Sequence, residues 1–102
     1  MTDLKALQQR VYQNKIAKGF NVTDVYQEIN FIHQEVGEVF MAYLKKKDDI
    51  GEELADVMIY LLGLAEILGI DLEKELMKKI EKNERREYSK NDKGILERTK
   101  EG

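Results

Sequence analysis

Residues 50–68 read I-G-E-E-L-A-D-V-M-I-Y-L-L-G-L-A-E-I-L, and their pattern fixes the class of fold. Ile50, Leu54, Val57, Leu61, Leu64 and Leu68 step by four, three, four, three and four, which is the seam of a packed helix running from a cap at Asp48 to a stop at Gly69. From Val57 to Leu68 the segment is apolar around its whole circumference except at Glu66, so it needs cover on several sides. The stretch before it, V-Y-Q-E-I-N-F-I-H-Q-E-V-G-E-V-F-M-A-Y at 25–43, repeats the pattern through Val25, Ile29, Ile32, Val36, Val39 and Tyr43. Thr23 or Asp24 caps that helix, which is expected to run to about Lys46.

Outward from this pair the chain stays helical. A polar helix over residues 2 to about 18 carries Leu4, Leu7, Val11 and Ile16 as a thin apolar stripe, with Thr2 or Asp3 as cap and an end near Gly19. Phe20-Asn21-Val22 connects it onward. Asp71 caps a fourth helix with Leu72, Leu76, Met77 and Ile80, and residues 89–102 read as a mobile charged tail after a folded domain over 1–88. The absence of proline fits an all-α protein. Three further helices from a 102-residue chain cover the apolar helix only in part, so a second copy of the chain is expected to complete the core; the alternative is a central helix of a monomer.

Composition narrows the function. No cysteine excludes disulfides, thiolate metal sites and thiol nucleophiles, and one histidine, His33, excludes any two-histidine metal site within one chain. Charged residues make up 36% and apolar residues 42%, which describes a foldable and soluble chain. A net charge of −3 argues against a nucleic-acid binder working through bulk charge. Neither a membrane span nor a signal peptide is readable, so the expected location is cytoplasmic.

Chemistry is expected where acids meet the seam. Glu35 and Glu38 on the second helix, and Glu53 and Asp56 on the third, are each spaced i,i+3 beside seam residues. In an antiparallel hairpin, facing residues have a constant index sum, which pairs Glu35 with Asp56 and Glu38 with Glu53 around an apex between Lys45 and Lys46. Four such carboxylates call for a hard, oxygen-seeking ion such as magnesium, with manganese as its substitute. The alternative is an acidic surface ion-paired to Lys45, Lys46 and Lys47. A carboxylate di-iron site fails because Asn30 stands where Glu-x-x-His requires a glutamate before His33. The His-x-Glu at 33–35 lacks the cysteines of zinc deaminases, and no EF-hand loop is present.

E-V-G-E at 35–38, followed by E-E-L-A-D-V-M-I-Y-L at 52–61, resembles the Glu-x-x-Glu and Glu-x-x-Asp signature of the MazG-like nucleoside triphosphate pyrophosphohydrolases, relatives of the all-α dimeric dUTPases. The resemblance runs from K-G-F at 18–20 to N-E-R-R-E-Y at 83–88. It implies a four-helix bundle assembled as a dimer or dimer of dimers, and magnesium-dependent hydrolysis of a nucleoside triphosphate to monophosphate and diphosphate in nucleotide-pool house-cleaning. It also implies Glu35, Glu38, Glu53 and Asp56 as metal ligands, while Glu52 is turned about 100° away on its helix. Lys79 and Asn83 match a lysine and an asparagine that the family sets against substrate; a solvated basic face is the alternative. Glu38 is the expected base. Lys79, with Lys15 or Lys18 in reserve, could neutralise the departing diphosphate; Lys15 and Lys18 equally suit a helix carboxy terminus. Phe20, lying in a connection, is the expected stacking residue for the base. A non-catalytic helical dimerisation module, or a sensor of magnesium nucleotide, are the competing functions.

Overall fold

The computed structural model describes residues 3–102. Its elements in chain order are α1 (Leu4–Ala17), α2 (Val25–Leu44), α3 (Ile50–Ile67), α4 (Leu72–Arg85), β1 (Glu87–Lys90) and β2 (Leu96–Lys100). They form two compact units, one extending to Leu72 and the other Glu73–Gly102. The all-α expectation holds for the four helices, to which a small antiparallel sheet is added.

In the first unit α3 lies between α1 and α2 and packs on both. Local chemistry sets the helix ends. Asp3 accepts a hydrogen bond from the Ala6 amide at 3.2 Å and Asp24 one from the Gln27 amide at 3.1 Å, satisfying amide groups that lack a partner in the first turn. Thr2, the other expected cap of α1, lies outside the described residues. The cap of α3 is Asp49 rather than Asp48, and its side chain makes no capping bond.

All three of these helices end in the same way. The amides of Gly19 and Phe20 donate to Ile16 and Lys15, those of Gly69 and Ile70 to Glu66 and Ala65, and those of Lys46 and Lys47 to Tyr43 and Ala42. Each is a paired-bond termination with a left-handed residue, here Gly19 (φ 71°), Gly69 (φ 69°) and, without the freedom of glycine, Lys46 (φ 53°).

The interior is thin, with Ala42, Leu62 and Ala65 as its buried apolar residues. Polar side chains occupy the rest of it. Gln8 donates from Nε2 to the Ile70 carbonyl (2.6 Å) and to Glu66 Oε1 (3.1 Å), while its Oε1 accepts from the Leu72 amide (3.2 Å), so one buried amide side chain ties α1 to the end of α3 and to the last residues of the first unit. Ile16, expected on the apolar stripe of α1, is 49% exposed, and Lys15 is buried in its place. The reason is a partner: Lys15 Nζ lies 2.5 Å from Oε1 of fully buried Glu28. The Lys15 stem passes over Gly63, where a Cβ would stand 3.2 Å from its Cδ.

The second unit carries α4 and a hairpin where a mobile tail was expected. Asn91 Oδ1 accepts from the amides of Lys93 (2.9 Å) and Ile95 (3.0 Å), and Gly94 takes φ 75°. This turn chemistry folds the strands together. Tyr88 faces Arg98, whose guanidinium lies 6.0 Å from the ring centroid, and a register shift between Glu87 and Tyr88 brings Glu87 opposite Lys100.

Candidate metal centre and adjoining grooves

The α2–α3 hairpin brings Glu35, Glu53 and Asp56 together: one carboxylate oxygen from each lies within 4.8 Å of the others. All three are half-buried. Partial burial, then the charges of Asp56 and Glu38, raise the Glu35 carboxyl above its ordinary value. Glu53 is raised too, by desolvation first and then by Asp49, Asp56, Glu38 and Glu35. Glu38 is exposed and stands outside the close trio, although its charge is felt by both glutamates. Asp49 is a fifth acid beside the group; its i,i+4 spacing to Glu53 was a readable signal, obscured by placing the cap at Asp48. Glu52 is exposed.

The ion pairs include Lys15–Glu28, Glu75–Lys78, Arg98–Glu101 and Glu87–Lys100, and among the described residues no cation pairs with Glu35, Glu38, Glu53 or Asp56. Lys45, Lys46 and Lys47 are not paired to them, contrary to the surface alternative. Hard oxygen donors, mutual repulsion and no protein counter-ion fit a divalent cation.

Next to the acids stands Tyr60, one turn beyond Asp56 on α3. Its ring centroid is 5.9 Å from that of Phe31 and 5.3 Å from Lys15 Nζ. Burial, followed by the charges of Glu35, Glu28 and Asp56, raises its phenol. Asn21 donates to the second oxygen of Glu28 at 3.1 Å, completing a buried cluster behind the tyrosine. The sequence held the signal: Glu28 lies seven residues before Glu35 and shares its helical face.

Two cavities meet at Lys15, Phe20 and Tyr60. The larger, about 720 Å³, runs between α1 and α3 with Leu7, Val11, Met58 and Ile59 as apolar walls and Arg10 and Asn14 as polar ones. The smaller, about 270 Å³, adds Asn21, Gln27, Glu28 and Phe31. Phe20, chosen from the sequence as a stacking residue, lines both. Tyr26, Phe40 and Tyr43 are exposed and line neither. Lys18 is the exposed C-cap of α1. Lys15 is committed to Glu28 and is not a free cation for a leaving group. Within the second unit, Lys79 lines a depression with Lys78, Lys82 and Arg85, and the side-chain oxygen of Asn83 accepts from Arg86 Nη1 at 2.8 Å.

The fold has a solved counterpart. A cyanophage S-2L MazG-like pyrophosphohydrolase, bound to dGDP and three catalytic Mn²⁺ ions per active site, superposes with a TM-score of 0.67 at 24% identity, covering 96% of this chain and 93% of that one. Among curated proteins none matches the chain. The family description "MazG-like family" matches residues 26–101, a span that holds all four proposed ligands and continues past residue 88 through the hairpin. On that match, which covers most of its length, the chain belongs to the MazG-like family.

Proposed function

We propose that this protein is a divalent-metal-dependent nucleoside triphosphate pyrophosphohydrolase, cleaving an NTP or dNTP and water to the monophosphate and diphosphate in cytoplasmic nucleotide-pool house-cleaning. The observation that carries this reading is the unpaired trio of Glu35, Glu53 and Asp56 on one hairpin. Membership of the MazG-like family, and a neighbour of the same fold with nucleotide and Mn²⁺, support it.

Glu35, Glu53 and Asp56, with Glu38 beside them, would hold magnesium, or manganese in its place. When bound, such ions clamp phosphate oxygens, offset charge at the α-phosphorus and acidify water. The chain's own part is positional. Its carboxylates repel a bare triphosphate, so nucleotide and cation binding are interdependent. Glu38, exposed at the edge of the trio, takes the proton of the attacking water as oxygen bonds to the α-phosphorus and the bond from that phosphorus to the bridging oxygen of diphosphate breaks. Lys18, Lys79 and Asn83 are assigned to substrate phosphates and Phe20 to the base, the latter supported by its place in both cavities.

A homodimer or dimer of dimers is part of the proposal. Val36, Phe40, Tyr43 and Leu44 on α2, Leu54 on α3 and Leu68 just after α3 are exposed in the single chain. Large apolar side chains exposed together on neighbouring helices are what a second copy would cover. The function is tested by incubating purified protein and magnesium or manganese with a panel of nucleoside triphosphates. Diphosphate and monophosphate in equal amounts are expected. Orthophosphate as product would indicate a phosphatase, and no product would leave a non-catalytic module.

A further inference from the structure

The larger groove has one feature that the hydrolysis step does not use. Its walls are mostly apolar, yet Arg10 and Asn14 line it from α1, one helical turn apart and therefore on one face. Among the described residues neither side chain makes a hydrogen bond or ion pair within the chain, while Gln8 and Lys15 on the same helix are fully engaged. Both are solvent-exposed, so each is free to exchange water for a ligand. A cavity of about 720 Å³ with apolar walls and two uncommitted polar groups resembles a ligand site, the walls giving affinity and the polar groups selecting orientation. None of the acids lines the groove, and its link to them is Tyr60, on which the charges of Glu35 and Asp56 act. Ala55, Met58, Ile59 and Tyr60 line it from the same helix that carries Glu53 and Asp56.

We infer that Arg10 and Asn14 are specificity-determining residues that select a 6-oxopurine base. This rests on the pyrophosphohydrolase reading for the triphosphate but not for the base. A guanidinium is a planar fork of donors with no acceptor. It pairs with two neighbouring acceptors, as O6 and N7 of guanine or hypoxanthine present, whereas adenine sets an amino donor beside N7 and meets the fork donor to donor. Asn14 supplies what Arg10 lacks: its amide oxygen accepts from the N1–H that 6-oxopurines carry and adenine does not. Side chains a turn apart stand about 5–6 Å from each other at Cβ, which sets the two on neighbouring edges of one base. A single-ring pyrimidine would span less of the groove and leave one of them unpaired, a loss that a site built on hydrogen bonds penalises strongly.

The test compares GTP and ITP with ATP, CTP and UTP for the wild type, Arg10→Ala, Arg10→Lys, Asn14→Ala and the control Gln9→Ala, an exposed α1 residue away from the groove. The wild type is expected to favour the 6-oxopurines in kcat/KM by about tenfold or more. Arg10→Ala should collapse that preference through KM, Arg10→Lys should restore little of it, and Gln9→Ala should not change it. GMP and AMP binding measured by calorimetry with magnesium present gives a readout independent of catalysis, since neither is cleaved. Cleavage of all bases at ratios unchanged by Arg10→Ala overturns the specificity assignment and leaves the enzyme reading intact. Arg10-dependent GMP binding with no triphosphate cleaved does the reverse. A changed sedimentation mass in Arg10→Ala with unchanged base ratios makes the groove a contact between copies, and also overturns the assignment.

Discussion

At the scale of single residues the decisive fact is that Glu35, Glu53 and Asp56 meet without a cation of their own. If they hold the metal, Glu35→Gln, Glu53→Gln and Asp56→Asn each lower kcat by about 100-fold or more under saturating magnesium, while Glu52→Gln, on the exposed side, stays near wild type. Steady-state rates for the four variants check this, and normal turnover in two of the three trio variants would overturn the ligand assignment. Their electrostatics give a second expectation. Glu35 titrates above the ordinary 4.5, so its protonated form is favoured by folding. Its contribution is fully present below the unfolded value and is lost as pH rises through the folded one. In chelator at neutral pH, Glu35→Gln should therefore melt above the wild type, with the gap closing toward pH ~4. Magnesium should raise the wild-type melting point and shift the variant much less. Equal melting curves with chelator and with magnesium would mean the carboxylates are only a solvated face.

Among the elements, α1 turns Gln8 and Lys15 inward as its buried side chains. Removing the lysine strands Glu28, which is 0% exposed. Lys15→Ala should cost about 3 kcal/mol or more in urea denaturation, because an unpaired buried charge remains. The double change Lys15→Met with Glu28→Leu should recover a large part of it, since an apolar pair of similar volume avoids desolvating charges. A single-variant cost below about 1 kcal/mol would show that water reaches the pair. The α2–α3 turn carries a conformational cost of another kind. Lys46 holds φ 53°, a region glycine enters freely, and no ion pair anchors its side chain among the described residues. Lys46→Gly should raise stability by about 1 kcal/mol with unchanged metal binding, read from the same denaturation curves.

For the molecule as a whole, Ala42, Leu62 and Ala65, the buried apolar side chains among the described residues, make a small core for a chain of this length. Large side chains along α2 and α3 face outward, Phe40 at 63% and Tyr43 at 75% exposure. On the proposed oligomer a second copy laid on these faces would enlarge the core, so sedimentation at micromolar concentration should give at least twice the chain mass of 11.9 kDa. Phe40→Glu should push the mass toward one chain and lower the melting temperature with it. A single-chain mass for the wild type at high concentration would remove the oligomer from the proposal.

By itself the sequence determined the four helices, their order and nearly all their ends, because hydrophobic period, aspartate caps and glycine stops are local signals carried within a few residues. It also paired Glu35 with Asp56, since spacing along an antiparallel hairpin maps directly onto proximity. Tertiary structure decided the rest. That Lys15 rather than Ile16 turns inward depends on Glu28, thirteen residues away, supplying the opposite charge, and no helical period encodes such a partner. The hairpin at 87–100 was hidden by a polar composition that resembles a tail, although Asn91 and Gly94 held its turn chemistry. The grooves at Phe20 and Tyr60 exist only because α1 and α2 both pack on α3, where contacts distant in sequence place a lysine, three aromatic rings and a buried carboxylate side by side.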